Sequence, residues 1–86
     1  MVTSESIEQS IAAGVRCEHL EVRGDGAHWE ALIVSSAFEG LSKVKQHQLV
    51  YAALGDRMRE EIHALSMITL SPAQWEAARK EAGEGR

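Results

Sequence analysis

Ile7, Ile11, Ala12 and Val15 recur at helical spacing and predict a first helix with one apolar stripe, capped by Ser4 and closing near Gly14. The period then changes. Leu20 and Val22 alternate with Glu21 and Arg23, so Cys17 to Arg23 reads as a half-buried strand. Gly24-Asp25-Gly26 supplies a tight turn, because glycine tolerates the positive φ that hairpin loops demand. His28 to Ser35 returns as a second, antiparallel strand, and its apolar run from Ala31 to Val34 predicts cover on both faces.

Beyond Phe38-Glu39-Gly40-Leu41, Ser42 is the expected cap of a helix bearing Val44, His47, Val50, Tyr51, Leu54 and Met58 on a drifting apolar face, with Gly55 as a break. Ile62 to Thr69 alternates again. His63, Leu65 and Met67 fall on one face of this third strand, and Ile62, Ala64, Ser66 and Ile68 on the other. The last helix carries the strongest local signal: Ser71 caps, Pro72 takes the first helical position, Gln74 completes a capping box, and Leu70 can staple onto Trp75.

The order is therefore α-β-β-α-β-α, an α+β fold with a three-stranded mixed sheet. A helical crossover between strands two and three makes them parallel. That topology has a chemical consequence. His28 opens strand two and His63 lies near the start of strand three, so both imidazoles are expected at one end of the sheet, with Cys17 at the other.

A chain of 86 residues is expected to form a single domain, 1–86, burying roughly 60 to 70% of its unfolded surface. One cysteine makes neither an internal disulfide nor a four-thiolate metal site. No basic stretch leads into an apolar run at the start, and no apolar stretch approaches the ~20 residues that span a bilayer. A cytoplasmic location without membrane contact is the resulting expectation. Nine Lys and Arg against thirteen Asp and Glu give a net charge of −4, which opposes indiscriminate binding to phosphate. The charge is uneven, since between Leu41 and Arg59 the cations Lys43, Lys45, Arg57 and Arg59 face Asp56 alone.

Asp25-Gly26-Ala27-His28-Trp29, Phe38-Glu39-Gly40-Leu41-Ser42, Lys45-Gln46-His47-Gln48-Leu49-Val50-Tyr51, Ile62-His63-Ala64-Leu65 and Ser71-Pro72-Ala73-Gln74-Trp75 succeed one another in an order and spacing that resemble the BolA family, most closely its short bacterial members of the IbaG type. The resemblance covers most of the chain. It implies a fold similar to the second class of KH domain. It also implies pairing with a monothiol glutaredoxin, the two proteins bridged by a 2Fe-2S cluster, with the glutaredoxin cysteine and glutathione as ligands on one side. His63 corresponds to the family's ligand on the other side.

Two neutral imidazoles at a strand end suit a transition metal, yet they supply half of a four-ligand set. The remainder must come from a partner. Many family members carry Cys or His in a longer loop between the first two strands; here Arg23-Gly24-Asp25-Gly26-Ala27 holds neither, so His28 is assigned as second ligand by geometry alone. The isolated chain is expected to hold no cofactor. Cys17 lacks a C-x-x-C spacing or a base and reads as a small buried residue. His19 suggests nothing beyond exposure.

No nucleophile-elbow or phosphate-loop pattern is present, so no catalytic residue is assigned and the chain is expected not to be an enzyme. The function expected is that of an iron–sulfur accessory protein in cluster maturation, trafficking, or iron, redox and stress sensing. The alternative is a DNA-binding transcriptional regulator acting through a helix-turn-helix-like segment around residues 38–59, with Lys43, Lys45, His47 and Arg57 as contacts. A weak homodimer of the apo chain stays open.

Overall fold

The structure, a computed structural model, describes residues 2–57, 62 and 64–84. Helix α1 (Ser4–Gly14) leads into strands β1 (His19–Gly24) and β2 (Trp29–Val34). A 3-10 turn (Ser36–Phe38), helix α2 (Lys43–Leu54), strand β3 (Leu65–Leu70) and helix α3 (Pro72–Glu84) complete the order. The strands form one mixed sheet, β1-β2-β3, with β1 antiparallel and β3 parallel to β2.

Register fixes the two faces of this sheet. The rows Gly24–Trp29–Leu65, Val22–Ala31–Met67 and Leu20–Ile33–Thr69 lie on one side, under α1 and α2. Here Ile7, Ile11 and Val15 of the first segment meet Val22, Trp29, Ala31, Ile33, Phe38, Val50, Leu54 and Ile62 in a continuous core. A fully buried Ile, Val or Phe contributes about 1.5–3 kcal/mol by leaving water, and this cluster is the principal source of stability. Gly14 lets the two helices touch: a Cβ at that position would lie 2.6 Å from Ala53 Cβ.

The opposite face carries the rows His19–Val34–Leu70, Glu21–Leu32–Ile68 and Arg23–Glu30–Ser66. Ala31, Ile33 and Val34 are buried as the apolar run predicts, but Leu32 is half-buried and Ile68 is 60% exposed, because most of this side has no covering layer among the described residues.

Several local expectations need correction. Thr3, not Ser4, caps α1: its backbone is extended, its Oγ1 accepts from the Ser6 N–H at 3.1 Å, and Ser6 Oγ accepts from the Thr3 N–H. Ala12 is exposed, leaving Ile7, Ile11 and Val15 as the buried stripe. Helix α2 is rotated from its expected face. Gln46, Val50 and Leu54 are buried, whereas Val44 is 66% and Tyr51 43% exposed. The rotation follows from Gln46, whose amide donates to the carbonyls of Phe38 and Leu41 at 3.3 and 3.0 Å and so binds the preceding turn to the helix.

Strand β3 begins at Leu65 rather than Ile62. Ile62 precedes the strand, is buried in the core, and donates its N–H to Arg57 O at 2.8 Å. Gly55 ends α2 at φ 59°, a conformation that glycine adopts without steric cost. The capping box of α3 forms as read, with Gln74 N–H donating to Ser71 Oγ at 3.2 Å and Ser71 N–H to Gln74 Oε1 at 2.9 Å. Met58 lies outside the described residues.

Candidate metal-binding edge of the sheet

The hairpin loop is shaped by one carboxylate. Asp25 Oδ1 accepts from the N–H groups of Ala27 and His28 at 2.9 and 2.8 Å, and Asp25 N–H donates to His28 O at 3.2 Å. Gly26, at φ 96°, makes the reversal within it. The two donated bonds, that of His28 foremost, hold the Asp25 carboxyl below its ordinary pKa, and the nearby His28 ring adds to this. His28 therefore stands on a fixed backbone while its side chain is exposed, and no described residue hydrogen-bonds its ring.

Trp29, next in the chain, anchors the same edge from inside. Its ring packs over Gly24, where a Cβ would come within 2.6 Å of the indole, and its N–H donates to Ala64 O at 2.8 Å. Position 28 thus adjoins the start of the neighbouring parallel strand. His63 lies outside the described residues; Ile62 and Ala64, on either side of it, are held by the core and by Trp29 respectively. Among the described residues, no three of His, Cys, Asp and Glu gather into a metal-binding group.

Cys17 is at the other end, beside the close of β2. It is half-buried, its thiol donates to Val15 O at 3.2 Å, and burial, then the neighbouring Glu18, raises its pKa and keeps it protonated. Glu18 itself binds Ser36 through its carboxylate, accepting from the N–H at 2.8 Å and the hydroxyl at 3.0 Å; the former chiefly lowers its pKa.

The four residues read as nucleic-acid contacts do not form a cluster of outward cations. Lys43 Nζ donates to Gln46 Oε1 at 3.3 Å and to the Thr69 carbonyl. Arg57 donates to Ser6 O, Ser6 Oγ and Ser10 Oγ at 2.6–2.9 Å, tying the end of α2 to α1. Lys43 opens α2 and Arg57 lies beyond its end, so roughly 18 Å of helix runs from one toward the other. Lys45 is exposed and His47 half-buried. Upstream of Gly40 stands a 3-10 turn of 3 residues, so the segment around 38–59 lacks a full first helix.

Sequence reading passed over His19. Its Nε2 is 2.7 Å from Glu21 Oε2, and its ring stacks on Trp75 with centroids 5.0 Å apart. Only the i, i+2 spacing of His19 and Glu21 on one strand face hinted at the pair; the contact with Trp75 joins positions remote in sequence.

The fold and the sequence as a whole match a known family. A model described as BolA-like protein matches residues 2–74. The chain belongs to the BolA-like family. It is 32% identical over 78 residues to the acid stress protein IbaG of Escherichia coli K12, covering 90% of this chain and 93% of that protein. It is 42% identical over 57 residues to BolA-like protein 1 of Bos taurus, covering 66% of this chain and 42% of the bovine protein, so it spans less than half the length of that relative.

Solved BolA-like structures show the same architecture. A protein of Babesia bovis superposes with a TM-score of 0.82 at 34% identity, covering 92% of this chain and 95% of the other. The BolA domain of SufE1 from Arabidopsis thaliana (TM-score 0.72, 32% identity, 81% and 92% covered) and yeast Fra2 (0.71, 26%, 86% and 84%) are further structural likenesses. One relative, 36% identical over 59 residues covering 69% of this chain and 57% of its own length, is the DNA-binding transcriptional regulator BolA of Haemophilus influenzae. No described helix is long and apolar enough to cross a membrane.

Proposed function

We propose that this BolA-like chain is a non-enzymatic iron–sulfur accessory protein that pairs with a monothiol glutaredoxin and shares a bridging 2Fe-2S cluster with it. The observation that carries the reading is the hydrogen bond from Trp29 N–H to Ala64 O at 2.8 Å, which sets exposed His28 beside the strand start that follows His63. An exposed, unbonded imidazole on a fixed backbone suits an outward-facing metal ligand. With the few ligands this edge offers, a four-ligand set calls for thiolates from a partner.

His63 is the principal ligand in this reading and His28 the second, while Asp25 holds the loop that presents His28. A bound cluster would supply electron transfer or iron and sulfide for delivery; this chain's part is to present imidazole and leave the partner's face accessible. The BolA domain within SufE1 supports such a use, since there the same fold occurs as a module of a larger protein. The test is the absorption spectrum of the glutaredoxin mixture. His63→Ala should abolish the protein-specific cluster bands and His28→Ala should weaken or shift them; spectra unchanged in both variants would overturn the assignment.

The second reading, DNA binding, rests on the name of the Haemophilus influenzae relative. The internal bonds of Lys43 and Arg57 favour the first, because those cations already have protein partners. Titration with duplex DNA separates the two: affinity confined to very low salt counts against a regulator.

A further inference from the structure

We propose that His19 is a proton-operated latch for helix α3, holding the helix more firmly against the sheet as the medium turns acidic. Among its described side chains, only Pro72 and Trp75 of α3 are even half-buried; the rest are exposed. Trp75 of this helix stacks on His19 of β1, with ring centroids 5.0 Å apart and planes 18° from parallel. The same imidazole reaches Glu21, Nε2 to Oε2 2.7 Å.

A neutral imidazole at this place offers a flat surface and one hydrogen bond. Protonated, it carries a full positive charge against both the Glu21 carboxylate and the electron-rich indole face, adding an ion pair and a cation–π attraction. One group opposes this. Arg79 lies 5.8 Å from the Trp75 ring centroid, but it is paired with Glu76 at 3.3 Å on the same helix, whereas Glu21 touches His19 directly. The Glu76 carboxylate offsets the Arg79 charge, so the attraction between the imidazolium and the Trp75 indole face sets the sign for α3, while Glu21 holds the ring in place on the strand. On β2 the neighbour of His19 is Val34, which carries no charge.

The latch is independent of the metal edge, being at the far end of β2 from His28. Glu21 also lines a groove of 180 Å³ across the open face, together with Leu32 and Ile68, so the latch fixes one wall of that groove. The test follows the Trp75 indole N–H and the amide exchange of α3 by NMR from about pH 7.5 to about pH 5.5, the interval in which imidazoles change charge. After correction for intrinsic exchange, protection of α3 should rise about two- to fivefold on acidification, as a partly exposed cation–π contact gives. The Trp75 indole resonance should move over the same interval while that of buried Trp29 stays still. His19→Gln retains a donor for Glu21 and should flatten both responses; Glu21→Gln should reduce the rise. Protection that is constant or falls with acid in the native chain, or that rises equally in His19→Gln, would overturn the latch.

Discussion

The two faces of the sheet are built to different rules although the same three strands supply both. On the covered face, Trp29, Ala31 and Ile33 are at most 5% exposed beneath α1 and α2. On the other, Glu21, Arg23, Glu30 and Ser66 surround Leu32 and Ile68, with no layer over them among the described residues. Stability is concentrated on the first face. The chemistry proposed for this protein sits at the edge and surface of the sheet, where side chains remain accessible to another molecule.

The sharpest way to break this contrast is Ile33→Ala, which removes a side chain with 0% exposure from the middle of the sheet. A loss of about 2–5 kcal/mol in urea-unfolding free energy is expected. Gly24→Ala probes the corner where the faces meet. Its Cβ would lie 2.3 Å from His28 O and 2.6 Å from the Trp29 ring, so a loss of about 1–3 kcal/mol should appear, with a shifted His28 resonance in NMR spectra.

Acid should separate fold from function. The folded pKa values of Asp25 and Glu18 are lowered by backbone N–H donors, so the stability they contribute is present above the unfolded carboxylate pKa and disappears as the pH falls through the folded one. For these two groups, the apo melting temperature should hold from neutral pH to about pH 5 and decline only below about pH 4. Imidazole ligands bind metal when neutral, with a reference pKa of ~6.5, so a shared cluster should loosen well before the fold does. Coincident loss of colour and fold would remove that distinction. The smallest effect is expected at Ile68→Ser, where 60% exposure limits the change in unfolding free energy to about 0.5 kcal/mol.

Most of the architecture was legible because strong local rules and tertiary packing agree. Strand alternation around Val22, the turn at Gly26, and the Ser71–Gln74 box each formed where the residues indicated. The antiparallel hairpin and the parallel crossover followed from connectivity. Helix α2 was misjudged because periodicity counts glutamine as solvent-facing, while Gln46 is 1% exposed with its amide satisfied by two backbone carbonyls. The cap of α1 was off by one because Thr3 and Ser4 are both hydroxyl residues, and only the backbone conformation tells which stands outside the helix.

The candidate edge was legible in part. Parallel pairing brought His28 to the start of β3, as the crossover implied, but Asp25's grip on the His28 and Ala27 N–H groups had no signal beyond a turn-forming residue. The cations Lys43 and Arg57 were read from their charge, which cannot show that both are bonded within the fold. His19 was invisible as a contact because Trp75 is 56 positions away.

The measurement that bears most directly on the proposed function is iron and sulfide analysis of this chain co-expressed and co-purified with a monothiol glutaredoxin, beside the same pair carrying His63→Ala. The native pair should be coloured and contain iron and sulfide in equal amounts, and the variant pair should lose both. A colourless, iron-free native complex, or a variant that retains the full complement, would contradict it.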